Sequence, residues 1–286
     1  MALFRALESA ADPETRLFDD PYAAHFLRPS LRAVVGLSRH RWGRSLVLAA
    51  IDRLWPGARA SGVARTRLID DALLAVSRGG EIEQVVLLGA GFDCRAHRQS
   101  LRPAPVYLEV DRPETQDLKR ERLGDRVGGD VRYVPCDFEA GSLGASLEKA
   151  GFTPQRPSFF LWEGVTNYLS PSAVDDVLEY VRSTAPGTLL LFTYVDRRIL
   201  DDPDRFVGSR RLRSTLRSSD ETWTFGLEPS GLAAFLEQRG LRLVWDRGSI
   251  EYRAHYLGSR GAHLRGYEFY RAAVARVPSG ARPVLD

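Results

Sequence analysis

Residues 85–95 read VVLLGAGFDCR. Four apolar residues run straight into Gly-Ala-Gly, the pattern of a strand buried on both faces that ends in a turn. Such a turn brings backbone N–H groups close to a nucleotide. The dinucleotide form is G-x-G-x-x-G, in which the third glycine lets helix and strand pack closely. Here Gly89 and Gly91 are present and Cys94 holds the third position. An NAD-dependent oxidoreductase thereby loses one of its three supports. A P-loop is excluded, because GxxxxGK[ST] occurs nowhere in the chain.

Outward from this turn, strands and helices alternate. VYLEVD (106–111), VRYVPCD (131–137), SFFLWEG (158–164) and TLLLFTYVD (188–196) read as further strands. Between them PETQDLKRERL (113–123), GSLGASLEKAG (141–151) and PSAVDDVLEYVRS (171–183) read as helices, and GVARTRLIDDALLAVSR (62–78) as the helix before the first strand. That order predicts right-handed βαβ crossovers and a mostly parallel sheet. GLAAFLEQRG (231–240) reads as a helix, LRLVWD (241–246) as a strand and YEFYRAAVARV (267–277) as a last strand, although helical spacing also fits it. Residues 1–60 are helical but broken and predict a cap; 197–228 are charged and irregular and predict a lid.

Acidic residues end three successive strands. Asp111 stands about 20 residues past Gly91, where a carboxylate accepts hydrogen bonds from ribose hydroxyls. Glu109 is two positions earlier, and Asp137 follows the third strand with Phe138 beside it. Either aspartate also reads as a helix cap. Together with the G-x-G they describe a nucleoside held without a pyrophosphate, which points to S-adenosylmethionine.

Composition narrows the classes. The 286 residues, 44% hydrophobic, suffice for one large α/β domain with a cap. Forty basic residues against 37 acidic give a net charge of only +3, interspersed, so no nucleic-acid partner is expected. The basic residues are nearly all Arg, as a GC-rich bacterial genome would produce. Cys94 and Cys136 form no CxxC pair, and no HExxH or DxDxDG is present, so neither disulfide nor metal is expected. The N-terminus lacks a signal core and no run reaches membrane-span length, which predicts a cytoplasmic chain without a membrane partner.

The strings ARTRLIDDALL (64–74), VVLLGAGFDCRAHR (85–98), YLEVDRPETQDLKRERL (107–123) and WEGVTNYLSP (162–171) resemble the leucine carboxyl methyltransferase family, from about residue 12 to about 277. The resemblance implies a class I methyltransferase fold: a seven-stranded, mostly parallel sheet with a reversed final strand, helices on both faces, and a helical cap over residues 1–60 of a core spanning 61–286. It implies S-adenosylmethionine as cofactor and O-methylation as the reaction. By position, Arg65 would bind the donor's carboxylate, with Arg67 its nearest competitor. Gly89, Ala90 and Gly91 would approach the donor, Asp111 would hold the ribose, and Asp137 and Phe138 would frame the adenine. Glu163 would face the ammonium of the donor, and Tyr168 would lie near the acceptor. Each has a plainer reading: solvated arginines, a strand-end acid, a core aromatic.

The acceptor decides whether a base is needed. None of His25, His40, His97, His255 and His263 belongs to a triad, and each reads as a surface residue. A carboxylate, ionised at neutral pH, needs no base, so a small-molecule carboxylate is the expected acceptor. A peptide C-terminal carboxylate and a hydroxyl are the alternatives. Arg205, Arg210, Arg211 and Arg213 in the lid could neutralise it; Trp42 and Arg44 in the cap, and Arg253 and Tyr256, are further candidates for the acceptor side. Outside enzymology, the remaining reading is a non-catalytic nucleoside-binding module.

Overall fold

The protein is described here from a computed structural model over residues 1–80, 82–102, 104–126, 130–141, 143–209, 212, 214 and 222–279. Among these residues, seven strands form one sheet: β1 (Gln84–Leu88), β2 (Val106–Asp111), β3 (Val131–Pro135), β4 (Ser158–Trp162), β5 (Leu189–Val195), β6 (Arg242–Gly248) and β7 (Tyr270–Arg276). Their order is β3-β2-β1-β4-β5-β7-β6. Strands β1 to β5 pair in parallel, while β7 runs antiparallel to both of its neighbours. The expected reversed final strand is therefore present. The strand reading of 267–277 holds because its apolar residues alternate between the two buried faces rather than lining one.

Side-chain alternation splits the core in two. Val86, Leu88, Phe160, Trp162, Leu190 and Phe192 face one side, where helix Pro171–Ser183 packs with Val174, Val177 and Val181. Val85, Leu87, Phe159, Leu161 and Leu191 face the other, against Ile69 and Leu73 of helix Ala58–Arg78. With both faces covered, β1, β4 and β5 are buried throughout, which is why they read as almost unbroken apolar runs.

In chain order the α-helices bounded within the described residues are α1 (Ala2–Ser9), α2 (Pro29–Leu37), α3 (Arg41–Leu54), α4 (Ala58–Arg78), α5 (Arg95–Arg98), α6 (Pro113–Leu123), α7 (Leu143–Lys149), α8 (Pro171–Ser183), α9 (Arg198–Asp201), α10 (Leu232–Glu237) and α11 (Ser249–His263). The first three gather an apolar cluster of their own around Leu7, Val35, Val47 and Ile51. α8 begins as its sequence prescribes: Ser170 Oγ accepts from Ala173 N at 3.2 Å and Pro171 follows. α11, which carries Arg253 and Tyr256, was not foreseen, because its glycines, including the non-helical Gly258, mask the helical period. No helix among the described residues is long and apolar enough to cross a membrane.

Candidate active site

Strand order reverses between β1 and β4, and Leu87 of β1 pairs with Leu161 of β4. The segments that follow these strands therefore emerge side by side, at the place where open α/β sheets bind ligands. After β1 the chain turns through Gly89 (φ +64°) and Gly91 (φ +48°), a region that side chains rarely adopt. A Cβ on Gly89 would also come within 2.4 Å of Val165. After β4, Gly164 N donates to Thr193 Oγ1 and Thr166 Oγ1 donates to Thr193 O, both at 2.7 Å, so β5 fixes the Glu163–Gly164 turn.

A cavity of about 230 Å³ lies between the two turns, lined by Gly89, Ala90, Gly91, Asp93, Glu163 and Arg65. α1 closes one side with Arg5, which pairs with Asp20 at 2.8 Å and donates to Phe92 O. Phe26 stacks on Phe92 with ring centres 4.5 Å apart, so the cap grips the glycine turn directly.

Beneath the cavity is a dense ion-pair network. Arg65 Nε donates to Glu163 Oε1 at 3.0 Å. Arg95, only 2% exposed, donates to Glu163 Oε2 at 2.9 Å, to Asp70 at 2.7 Å and to Asp93. Arg98 reaches Asp70 at 2.8 Å. Burial pushes the Asp93 carboxyl up, but Arg95, Arg5, Arg98 and Lys119 outweigh it and hold it at about 2. Glu163 is likewise held below the usual range, burial opposing and Arg95 and Arg65 prevailing. Both acids are therefore anionic at neutral pH. Sequence reading passed over Arg95, Asp93 and Arg5; only the adjacency of Asp93 and Arg95 to the G-x-G offered a hint.

These shifts fix a pH dependence. A carboxyl whose folded pKa is depressed adds stability above its unfolded value and loses it as pH falls through the folded value. For Asp93 that window runs from 3.8 down to about 2, and the shift is worth about 2 kcal/mol. The stability gap between the wild type and Asp93→Asn should shrink as pH falls through this window, read from urea melts. A gap independent of pH would remove the linkage.

The outer residues are arranged differently. Asp111 Oδ2 accepts from Gly91 N at 2.5 Å and Oδ1 from Arg112 N at 2.8 Å, so this carboxylate stands at the rim of the glycine turn. Asp137 Oδ1 accepts from Glu139 N at 3.0 Å, capping a short 3-10 turn, and Phe138 is buried against Trp162 with ring centres 6.4 Å apart. Tyr168 ends the 3-10 turn Thr166–Tyr168 beyond Glu163; it is 38% exposed and meets Trp223 edge-to-face. None of these four lines the cavity.

Several expectations need correction. Arg65 and Arg67, two apart on α4, point different ways: Arg67 pairs with Asp71 at 2.9 Å and donates to Leu17 O in the cap. Arg253 is fully buried and bonds the Gly266 and Leu264 carbonyls, while Tyr256 Oη donates to Asp71 at 2.8 Å; neither lines the cavity. His97 is not a surface residue; its imidazole is buried 3.8 Å from Glu109, whose other oxygen takes Lys119 Nζ at 2.6 Å. Arg44 is tied to Leu7 O at 2.8 Å, and Trp42 is exposed. Arg205 is exposed at the end of the 3-10 turn Pro203–Arg205; Arg210, Arg211 and Arg213, and with them part of the expected lid, lie outside the described residues.

A glycine turn at the switch point, a seven-stranded sheet with a reversed last strand and an acid after β4 define the class I methyltransferase fold. Two crystal structures share it across nearly the whole chain. One is a protein assigned as a methyltransferase from Thermobifida fusca (TM-score 0.61, 18% identity, 96% of this chain and 97% of that one). The other is a DUF574 family protein from Streptomyces avermitilis (TM-score 0.62, 17% identity, 95% and 100%). The leucine carboxyl methyltransferase family profile matches residues 1–182, and the chain belongs to that family. Similar sequences include proteins assigned as S-adenosyl-L-methionine-dependent methyltransferases. That from Frankia alni is 36% identical over 211 residues, covering 71% of this chain and 69% of that protein. One from Mycobacterium avium is 30% identical over 256 residues, covering 83% and 77%, and one from Mycobacterium ulcerans 37% over 202, covering 66% and 60%. The chain is an S-adenosylmethionine-dependent methyltransferase.

Proposed function

We propose that the cavity beside Gly89–Gly91 takes the methionine end of S-adenosylmethionine, and that the enzyme methylates a carboxylate oxygen of a small-molecule acceptor. One observation carries the first part: the cavity pairs cations with anions. Arg65 and Arg5 suit the donor's carboxylate, and the anionic Glu163 and Asp93 suit its ammonium. At about 230 Å³ it is smaller than the ~300–1,000 Å³ of sites that enclose a whole ligand. The nucleoside is therefore assigned to the rim, its ribose on Asp111 and its adenine between Asp137 and Phe138.

When bound, S-adenosylmethionine supplies a methyl group already activated by its sulfonium. Arg65, Glu163 and the glycine turn would hold the donor, and residues 1–60 would exclude water from it. Such orientation is worth about 7–11 kcal/mol of barrier.

The acceptor assignment follows from the charge states. Asp93 and Glu163 are ionised and engaged by guanidinium groups, so neither is disposed to take a proton. A phenol, with a pKa of about 10, calls for a base; a carboxylate, at about 4, arrives ionised. Its oxygen would form the new O–C bond with the donor's methyl carbon as the C–S bond broke, the electron pair leaving with sulfur, so that no protein group need move a proton. A peptide C-terminus would follow the same chemistry. The test is transfer of a radiolabelled methyl group to a panel of carboxylic acids and matched phenols. Alkali-labile methyl esters are expected; an alkali-stable ether product would overturn the carboxylate assignment.

Tyr168 is assigned to the acceptor side. Tyr168→Phe should lower kcat while S-adenosylhomocysteine affinity stays within about twofold of wild type, since a lost hydroxyl far from the donor costs it nothing. Equal losses in both would move the residue to the donor.

A further inference from the structure

We infer that the acceptor site is an aromatic wall whose partly exposed rings are Tyr168, Trp223 and Tyr267, backed by the buried Phe269 and Tyr270, and that it takes planar aromatic carboxylates in preference to aliphatic ones. The inference rests on the methyl-donor reading of the adjoining cavity. The wall stands at the carboxyl ends of the parallel strands, because Tyr270 opens β7 opposite Val195, the last residue of β5. It touches the donor cavity through one side chain: the Arg65 guanidinium that bonds Glu163 lies 4.7 Å over the Tyr270 ring. Trp223 is the hub, its ring centre 5.8 Å from Tyr270, 5.9 Å from Phe269 and 6.4 Å from Tyr168.

Two features of this cluster bear on a ligand: Trp223, unlike the fully buried Trp162 whose indole N–H is also unpaired, is only partly buried, and a neighbouring tyrosine has an unusual backbone. The Trp223 indole N–H is buried and has no hydrogen-bond partner among the described residues. A buried orphan donor is costly, and a carboxylate oxygen on the acceptor would satisfy it. Tyr267 holds φ +60°, unique among the described non-glycine residues. Bulky side chains rarely adopt that region, and strain of this kind gathers at ligand sites. The Tyr267 ring lies nearly parallel to that of Tyr270, at 8° with centres 6.4 Å apart. The partly exposed rings of Tyr168, Trp223 and Tyr267 are the ones assigned to a flat acceptor, and the Trp223 N–H to its carboxylate.

The test titrates the full chain, saturated with S-adenosylhomocysteine, with 2-naphthoate and with its saturated counterpart decalin-2-carboxylate. 2-Naphthoate should bind about tenfold more tightly, the worth of good ring–ring contacts. Trp223→Leu should erase that preference and leave S-adenosylhomocysteine affinity unchanged. Should Trp223→Leu fail to fold, Tyr267→Gly serves, because glycine relieves the positive φ while removing the ring. Equal affinity for the two acids, no binding of 2-naphthoate, or a preference that survives a folded variant would overturn the inference. If S-adenosylhomocysteine itself does not bind, the donor reading fails, and the same comparison of the two acids, made without it, still decides the wall.

Discussion

Arg95→Met will destabilise the protein by about 3–5 kcal/mol, the usual cost of breaking a buried ion pair from one side. The reason is the number of charges that depend on it. Asp70, Asp93 and Glu163 converge on this one guanidinium, which is 2% exposed, and they approach from α4, from the glycine turn and from the end of β4. Methionine fills much of the volume but leaves three carboxylates short of their main partner. Domains retain only about 5–15 kcal/mol in total, and each kcal/mol moves the melting point by about 2–4 °C at this size. Arg95→Lys should fall between, since ammonium keeps the charge without the planar fork. Denaturant melts read both; a loss below about 1 kcal/mol for Arg95→Met would mean that the network is not what joins the two turns.

The second large effect is on binding. Asp111→Ala should weaken S-adenosylhomocysteine by about 1.5–3 kcal/mol, the worth of hydrogen bonds to a charged group, which is roughly tenfold to a hundredfold in Kd. Folding should survive, because the carboxylate is partly exposed and, among the described residues, bonds the Gly91 and Arg112 N–H groups alone. Asp111→Asn keeps one acceptor oxygen and should lose less. Equal affinity in wild type and Asp111→Ala would remove the ribose assignment. A folded Asp111→Ala whose loss is matched by Asp111→Asn would point instead to the Gly91 contact.

How much of this was legible in the sequence depends on the range of the interaction. The parallel strands and the glycine turn were readable because buried strands run apolar without interruption and because a tight turn demands Gly89 and Gly91. Arg65 and Glu163 were reachable through family resemblance, and they form an ion pair in the cavity. Arg95 was barely readable: its partners Asp70 and Glu163 lie 25 and 68 residues away, and beyond its place beside the glycine turn nothing local separates it from the many other arginines. His97 was misread for a related reason, since burial beside Glu109 is a property of the folded sheet and not of its neighbours in sequence. Arg253 and Tyr256 lay on a helix that its own glycines concealed.

The central claim is that the turn at 89–91 and the charges around it hold a methyl donor and not a dinucleotide. Calorimetric titration of the purified protein with S-adenosylhomocysteine, with NAD in a parallel cell, tests it most directly. The account predicts saturable binding of S-adenosylhomocysteine with one site per chain and no heat from NAD. Binding of NAD with silence from S-adenosylhomocysteine would contradict it.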